Sequence, residues 1–271
     1  MGVRQSTAAG FTLIEVVIVV VLLGIIALGT TRFIVQGTEQ YTVAADRTKL
    51  IAAGRVSVEK ISRRLRNALP NSILVSTPAG RCVEYIPVVA GTASLGVVPD
   101  PVVNLAVANF DVVGSAPFFV AIFPISSAEL YIGNPGAAGV LAASGLAAGS
   151  GISNISLSSP GGFSFVRTSP TERVYVVQQP ERFCFTASGD LNFYSGYGIP
   201  DYSTTGLGDA PSAAVAATAE LVSQDIDASA SSFSYVSGTL VRNAIVEINL
   251  GLLKNDDPIQ LNQEVQVRNV P

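Results

Sequence analysis

The sequence predicts an α+β protein in which a long N-terminal α-helix packs on an antiparallel, β-rich globular head. An uncharged apolar run extends from Val16 to Thr31, and an amphipathic helical pattern follows it. Beyond Pro70 the pattern changes to short β-branched and aromatic runs separated by Gly, Pro, Ser and Asn. The chain of 271 residues is long enough for one soluble core in addition to a membrane segment.

The composition excludes most familiar enzyme chemistry. The chain has no histidine and no tryptophan, and its only cysteines are Cys82 and Cys184. Triads that use histidine, histidine-ligated metals and four-cysteine zinc sites are therefore excluded. The formal net charge is -4, and many of the positive charges cluster in one helical stretch. We predict no catalytic residue, no cofactor, no metal site and no nucleic-acid partner.

The apolar run is long enough to cross a bilayer. Counted from Phe11 to Thr31 it has about 21 residues, or roughly 31 Å as a helix, which is close to the thickness of the hydrocarbon core. A secretory signal places its small-residue cleavage site after the apolar core. Here the small residues "TAAG", ending at Gly10, come before it. Cleavage after Gly10 would remove a leader at residues 1–10 and keep the membrane helix.

The string "GFTLIEVVIVVVLLGIIA" resembles the class III signal of type IV pilins and pseudopilins. The resemblance implies that a membrane prepilin peptidase cuts between Gly10 and Phe11 and that the new amine of Phe11 is methylated. It also implies an inner-membrane, single-pass protein of a Gram-negative bacterium, with the head in the periplasm. The count of Arg4 against the downstream Arg32, Arg47 and Lys49 favours the opposite orientation. The leader motif is the more specific of the two signals.

Glu15 begins the apolar run, where a charge is costly and intramembrane carboxylates are by default functional. The resemblance makes Glu15 the fifth residue of the mature chain. Our hypothesis is that Glu15 sets the register of assembly, because the α-ammonium of a neighbouring subunit would offset its charge in a low dielectric. A subunit docked at the wrong height would leave both charges unpaired. The alternative is a glutamate that reaches the lipid headgroups.

The helix is predicted to continue out of the membrane and to end near Leu69, because Pro70 disfavours helical angles in the residue before it. Residues 11–69 would form the helix, with residues 11–31 in the membrane. Glu59 is placed to pair with Arg63 across one turn. The basic face is either solvated or a contact surface for an acidic neighbour. The buried stripe, spaced by three and four residues, comprises Leu50, Gly54, Val58, Ile61, Leu65 and Ala68. The basic face comprises Arg55, Arg63, Arg64 and Arg66.

Residues 70–271 are predicted to form the head. Runs such as "RCVEYIPVV", "RFCFTAS" and "AIVEINLGLL" are typical of strands, and Gly189-Asp190 indicates a hairpin turn. Residues 133–154 and 201–220 are rich in small residues, and we predict long surface loops there. In an oxidising compartment Cys82 and Cys184 would form a disulfide, worth up to about 4.7 kcal/mol by chain entropy. Two buried free thiols are the alternative.

Other candidate sites in the head are weak. Asp225 with Asp227, and Asp256 with Asp257, supply calcium-type oxygen ligands but lie in no recognisable calcium loop. Three tyrosines with interleaved glycines form either an exposed binding strip or, more commonly for this residue type, part of a core or interface. These tyrosines are Tyr194, Tyr197 and Tyr202.

Further segments resemble the minor pilins of mannose-sensitive haemagglutinin (MSHA) pili. They are "EKISRRLRNALPNSI", "CVEYIPV", "RFCFTASGDLNFYSGYGI" and the ending "INLGLLKNDDPIQLNQEVQVRNVP". The resemblance implies a fold like that of the J-type minor pseudopilins and a role in starting or capping a pilus. The implied partners are the prepilin peptidase, other minor pilins, the major pilin, the inner-membrane assembly platform and the lipid bilayer.

Three alternative functions are compatible with parts of the sequence. A type II secretion pseudopilin would share the cleavage, the helix and the register pairing. A membrane-tethered adhesin would bind a ligand saturably through the loops of its head. A tethered hydrolase would need two converging carboxylates, and no acidic spacing in the sequence indicates such a pair.

Overall fold

The computed structural model describes residues 12–98, 100–133, 138–159, 161–203, 206–208, 218–238 and 242–267. The predicted leader, Gly10 and Phe11 lie outside the described residues. The predicted α+β class is confirmed, because helix α1 (Leu13–Arg66) is followed by an antiparallel, β-rich head. The chain divides into two compact units, residues 1–49 and 50–271.

Within the first unit, α1 is helical throughout residues 13–49, including Gly24, Gly29 and Gly37. No melted turn interrupts the helix at these glycines. The apolar side chains are exposed on every face, because consecutive residues such as Val16, Val17 and Ile18 are 52%, 49% and 52% exposed. A helix that is apolar all round requires lipid or other protein around it.

Within the second unit, the predicted stripe of α1 is confirmed. Ile61 and Leu65 are fully buried, and the other members of the stripe from Leu50 to Ala68 are buried as well. The helix ends at Arg66, three residues before the predicted Leu69. Ala68 pairs with Pro87, and the N–H of Leu69 donates to the carbonyl of Ile86 at 2.8 Å. The backbone of Ala68 and Leu69 therefore pairs with the segment at Ile86 and Pro87, and the helix has ended before Pro70.

Two antiparallel sheets enclose the main core together with α1. In the first, the strand order is β1-β2-β9-β10-β11, and in the second it is β12-β13-β14. The stripe of α1 packs among apolar side chains of both sheets, including Phe183 of β9 and Leu250 of β13. The bounds are β1 Leu74–Val75, β2 Cys82–Tyr85, β9 Glu181–Phe185, β10 Leu191–Ser195, β11 Thr218–Ser223, β12 Ser232–Val236, β13 Ala244–Lys254 and β14 Asp257–Val267.

A second lobe lies between β2 and β9 in the chain. It contains a sheet in the order β3-β8-β5-β6 and a separate β4–β7 pair. Its own core includes Leu105, Phe118, Val120 and Ile155. The bounds are β3 Val88–Ala93, β4 Asn104–Val112, β5 Phe119–Ala121, β6 Leu141–Ala143, β7 Gly149–Ser156 and β8 Arg173–Val177, with a short 3-10 helix at Ser127–Glu129.

The predicted hairpin at Gly189-Asp190 is confirmed, since β9 pairs with β10 and Gly189 has a φ of 84°. The prediction of surface loops is wrong for much of residues 133–154, where β6 and β7 form. Leu141 is 2% exposed and pairs with Ala121 of β5. In the other segment, Leu207 is buried and β11 begins at Thr218.

Candidate functional site

The first candidate site is the N-terminal part of α1. The carbonyl of Thr12 accepts hydrogen bonds from the N–H groups of Glu15 at 3.1 Å and Val16 at 3.3 Å, so Thr12 lies at the helix entry. Glu15 is an exposed residue of the first turn. A threonine followed three residues later by a glutamate has the spacing of a capping box, and a carboxylate is favoured at a helix N-terminus.

Polar side chains farther along this part of the helix bond within the helix itself. The hydroxyls of Thr30 and Thr31 donate to the carbonyls of Ile26 and Ala27, each at 2.8 Å. Thr38 bonds in the same way to Ile34 at 2.9 Å. Hydroxyls satisfied inside the helix need no water, which suits a segment that enters hydrocarbon.

One helix is long and apolar enough to span a membrane among the residues described. The most apolar stretch of 18 residues in this helix lies near the N-terminus, and none of its residues is buried inside the protein. In a soluble core helix the apolar side chains would be covered by the rest of the chain. The exposed apolar surface therefore fits a membrane-anchored, single-pass protein.

The second candidate site holds the head part of α1 on the first sheet. The guanidinium of Arg64 lies 2.7 Å from Glu181 and 4.3 Å from the centre of the Phe193 ring. The hydroxyl of Tyr85 donates to the same carboxylate of Glu181. Burial raises the pKa of Tyr85 well above its usual value, and the negative charge of Glu181 adds to that rise. We call Arg64, Glu181, Tyr85 and Phe193 the helix latch.

A buried ion pair lies beside the latch. The carboxylate of Glu84 is 2.6 Å from a terminal nitrogen of Arg182 and accepts a hydrogen bond from the Tyr202 hydroxyl at 3.0 Å. Burial raises the pKa of Glu84, and Arg182 opposes part of that rise. The hydroxyl of Tyr197 is buried in the same cluster, and the guanidinium of Arg182 lies 5.7 Å from the centre of the Tyr197 ring. The ion pair fixes the segment that carries both tyrosines against the sheet.

Cys82 and Cys184 form a disulfide, with the two sulfurs 2.02 Å apart. The two cysteines are direct partners across β2 and β9, and both are buried. The same register pairs Glu84 with Arg182 and places Tyr85 opposite Glu181. Sequence reasoning missed these four residues. The signal was available, because opposite charges lie at mirrored offsets from two cysteines that would face each other on antiparallel strands.

The structure gives the other candidate residues structural roles. The Asp227 carboxylate accepts from the N–H of Ser229 at 2.9 Å, which closes a local turn. Asn255 and Asp256, with φ values of 51° and 59°, form the tight turn between β13 and β14. Among the residues described, no three or more Asp, Glu, His or Cys side chains form a group that could hold a metal ion.

The structure also bears on the two interpretations that the sequence left open for the tyrosines and for the basic face of α1. Tyr202 packs against the buried Tyr131, with ring centres 5.6 Å apart, which favours the core interpretation over a binding strip. On the basic face, Arg63 lies 3.7 Å from Glu59 and is 77% exposed, whereas Arg64 belongs to the helix latch. The face is therefore split between solvent and the chain's own head.

Comparison with known proteins finds a known motif in the N-terminal segment. Residues 5–31 match the prokaryotic N-terminal methylation motif. The match spans the start of α1 and supports a type IV pilin-like protein, a class that is structural rather than enzymatic. No curated protein and no solved structure matches the chain.

Proposed function

We propose that the chain is a minor pilin that helps to initiate or cap a type IV pilus of the MSHA type. One observation carries the proposal: the methylation motif at residues 5–31 overlaps the first part of α1, whose apolar side chains are exposed on every face. Glu15 is the sole ionisable residue between Leu13 and Thr31 of that helix. The finer assignment is supported by the resemblance of the cysteine strands and the C-terminal hairpin to the minor pilin MshO.

Two stages follow from the exposed helix. Before assembly, α1 would anchor the chain in the inner membrane with its head in the periplasm, and the prepilin peptidase would cut between Gly10 and Phe11 and methylate the new amine. During assembly, the same side chains would leave lipid and pack on the helices of other minor pilins and the major pilin. The change is inexpensive, because lipid tails and apolar side chains solvate the helix about equally well.

Glu15 would select the register during that change. In a low dielectric, its carboxylate is stabilised when the α-ammonium of a neighbouring subunit comes within ion-pair distance. The glutamate also begins a helix, where the helix dipole favours its negative charge. The two effects act together, so Glu15 is tolerated before assembly and becomes an attractive partner during it.

The decisive experiment compares pilus number and type II enzyme secretion in a strain that lacks the gene and is complemented with wild type, Glu15→Val or Glu39→Val. Glu39 is an exposed carboxylate of the same helix outside the apolar run, and it serves as the control. We expect Glu15→Val to fail to restore pili while Glu39→Val restores them. Lost secretion with intact pili would instead assign the chain to the secretion pseudopilins.

A second experiment tests the processing. The full chain is purified from the membrane, and the mass of its N-terminal peptide is measured. We expect methylated Phe11 at the N-terminus in wild type and an uncut leader in Gly10→Val. An intact leader in the wild-type protein would contradict the proposal, whatever the pilus count.

A further inference from the structure

The outer strand of the β12-β13-β14 sheet is long and has one open side. β14 has 11 residues and pairs with β13 along its whole length without a register shift. Within the described part of the chain, no strand pairs with its other side. Natural edge strands are usually short, bulged or protected by lysine or proline, because a free edge can pair with another chain. β14 contains no lysine, and Pro258 protects only its start.

The turn between β13 and β14 determines which main-chain groups of β14 are free. Asn255 and Asp256 form a two-residue turn between the partners Lys254 and Asp257. The residues that flank such a turn bond to each other, and bonded pairs then alternate with pairs that do not bond. Counted from Asp257, every second residue of β14 therefore points away from β13. After Pro258, the outward set is Gln260, Asn262, Glu264 and Gln266.

Contacts of the neighbouring strand confirm this count. Gly251 of β13 is the partner of Gln260. Its N–H donates to the Ser231 hydroxyl at 2.9 Å, and its carbonyl accepts from the N–H of Asp227 at 2.9 Å, so both groups point away from β14. On the open side of β14, the Glu264 carbonyl accepts the side-chain amide of its neighbour Gln263 at 2.8 Å. An added strand could displace this flexible side chain.

The exposed face of the sheet carries two carboxylates side by side. Glu247 of β13 and Glu264 of β14 are direct cross-strand partners, and both are exposed. Like charges directly opposite each other destabilise a sheet. The Ser234 hydroxyl donates to Glu247 at 2.8 Å but brings no positive charge. The basic residue of the three strands is Lys254, which lies at the turn with its ammonium 3.6 Å from Asp225.

The opposite face of the same edge offers apolar contact. Leu261 is half-buried and packs against the main core, together with the half-buried Ile51 of α1. Side chains of a strand alternate between the two faces of its sheet. A strand added beside β14 would therefore place one set of side chains next to Glu264 and the other set next to Leu261. The edge fits a segment that alternates cationic with apolar residues.

We propose that the open side of β14 binds an extended, basic segment of a partner polypeptide. The segment adds a strand beside residues 260–266 and places a lysine or arginine against Glu264 and Glu247. A second copy of β14 fits less well, because that strand has no basic residue to offer the two carboxylates. The site lies entirely in the head, so the proposal goes beyond assembly through α1 and does not depend on it.

The test uses the full chain in a mild detergent and a fluorescent peptide of alternating lysine and valine, followed by anisotropy. Three companion probes are the glutamate version of the peptide, a version with N-methylated backbone amides, and spermine, a polycation without a peptide backbone. We expect the lysine peptide to bind and the glutamate version not to bind. The N-methylated version keeps its charges but loses main-chain donors, and we expect its affinity to fall about tenfold or more.

A pair of charge variants locates the acidic part of the site. Glu264→Lys is expected to weaken binding of the lysine peptide about tenfold or more, because it faces the peptide with like charge. The same change places opposite charges across β13 and β14, so it does not weaken the sheet. Glu172→Lys makes the same charge change at an exposed residue of the second lobe, and it is expected to leave binding within about twofold.

A second pair of variants tests the main-chain edge. Asn262→Pro removes an outward N–H, and proline is compatible with the free side of an edge strand. We expect it to weaken the lysine peptide about tenfold or more, whereas Asn262→Ser, which keeps the N–H, should stay within about twofold. Denaturant unfolding without peptide shows whether each variant is folded. If Asn262→Pro is not, the N-methylated peptide decides the same point.

Five outcomes would overturn the proposal. They are no binding of the lysine peptide, equal loss in Glu264→Lys and Glu172→Lys, undiminished binding of the N-methylated peptide, undiminished binding to a folded Asn262→Pro, and binding of spermine as tight as that of the peptide. A sixth is self-association of the chain that Asn262→Pro abolishes while no peptide binds, because the occupant would then be a second copy of this chain.

Discussion

The two parts of helix α1 use apolar residues in opposite ways. From Leu13 to Leu28 the apolar side chains point in all directions and remain exposed, with Leu22 53% exposed. From Leu50 to Leu65 they form one stripe, and Leu65 is fully buried by the chain's own head. The same residue type therefore contributes to folding of the chain in one part and not in the other.

The buried stripe and the exposed part therefore contribute to different processes, the first to folding of the head and the second to contacts with lipid or other subunits. Burial of the stripe contributes to the free energy of unfolding of the head, at about 25 cal/mol per Å² of apolar surface. The exposed part contributes nothing to that quantity and is available to lipid or to other subunits. Matched substitutions in the two parts should therefore differ in what they change, and the following predictions run from the largest expected effect to the smallest.

The strongest test replaces one leucine in each part. Leu65→Ala should lower the free energy of unfolding of the head by about 3 kcal/mol, because it leaves a cavity among well-packed side chains. Leu22→Ala should change it by less than about 0.5 kcal/mol. Denaturant unfolding of the full chain in detergent, followed by tyrosine fluorescence, measures both. Equal losses in Leu65→Ala and Leu22→Ala would contradict the conclusion that only one part of α1 stabilises the head.

The helix latch should contribute less than the stripe but more than a surface pair. Arg64→Met leaves Glu181 and Tyr85 without their cation, although the arginine side chain is 37% exposed and partly screened. We expect a loss of about 1.5 kcal/mol. Arg63→Met is the neighbouring control, and unfolding under the same conditions should barely change. A control that lost as much as Arg64→Met would show that charge alone, without the latch, stabilises the helix.

Glycines of the two parts should respond with opposite sign. An added Cβ at Gly54 would lie 2.6 Å from Leu252 and 2.7 Å from Leu261, whereas at Gly29 it would meet nothing within 4 Å. Gly54→Ala should destabilise the head by about 1 kcal/mol through overpacking. Gly29→Ala should raise the thermal stability of the helix in the membrane part, since alanine favours a helix by about 1 kcal/mol. Denaturant unfolding measures the effect of Gly54→Ala, and circular dichroism in detergent measures the effect of Gly29→Ala.

Alkaline pH should unfold the head and not the membrane part. Burial raises the pKa of Tyr85, Tyr131 and Tyr197 well above their usual value in the folded head. The stability that these groups give is complete below the unfolded pKa of about 10 and is lost as the pH rises above it, by about 1.4 kcal/mol per pH unit for each tyrosine.

The sign follows from the proton count, because the unfolded chain releases protons that the folded head retains. Unfolding as a function of pH should be less steep by one proton in Tyr85→Phe. In Tyr41→Phe, which alters an exposed residue of the first unit, the slope should stay unchanged. A wild-type head whose stability is constant above pH ~10 would contradict the prediction.

The smallest effect is expected at the surface pair of α1. Glu59 and Arg63 are 58% and 77% exposed, and their charged atoms lie 3.7 Å apart. Glu59→Gln should lower the free energy of unfolding by about 0.3 kcal/mol or less, and added salt should abolish the difference. A larger loss in the same denaturant assay would mean that the exposed face of the helix has a partner in the head.

The sequence predicted what depends on local pattern. The stripe from Leu50 to Ala68 followed from helical spacing, and the hairpin at Gly189-Asp190 followed from turn chemistry. The ladder that ends α1 at Arg66 could not be predicted, because it depends on the distant Pro87 and Ile86.

The head was predicted less completely where strands are poor in β-branched residues. β6 consists of Leu141, Ala142 and Ala143, whose propensity does not favour a strand, and it is held by pairing with β5. The Asp256-Asp257 pair looked like a source of calcium ligands, but left-handed φ values at Asn255 and Asp256 fit a tight turn. Context beyond the local sequence decides both.

The disulfide has a mechanical consequence. Cys82 and Cys184 are 102 residues apart, and all strands of the second lobe lie between them. Tension applied along the chain would pass from β2 to β9 through the sulfur atoms and would bypass the enclosed lobe. Roughly 350 Å of extended chain would stay out of reach of a pulling force until the bond was reduced. The second lobe would thus stay folded under a pulling force that unfolds segments outside the disulfide loop.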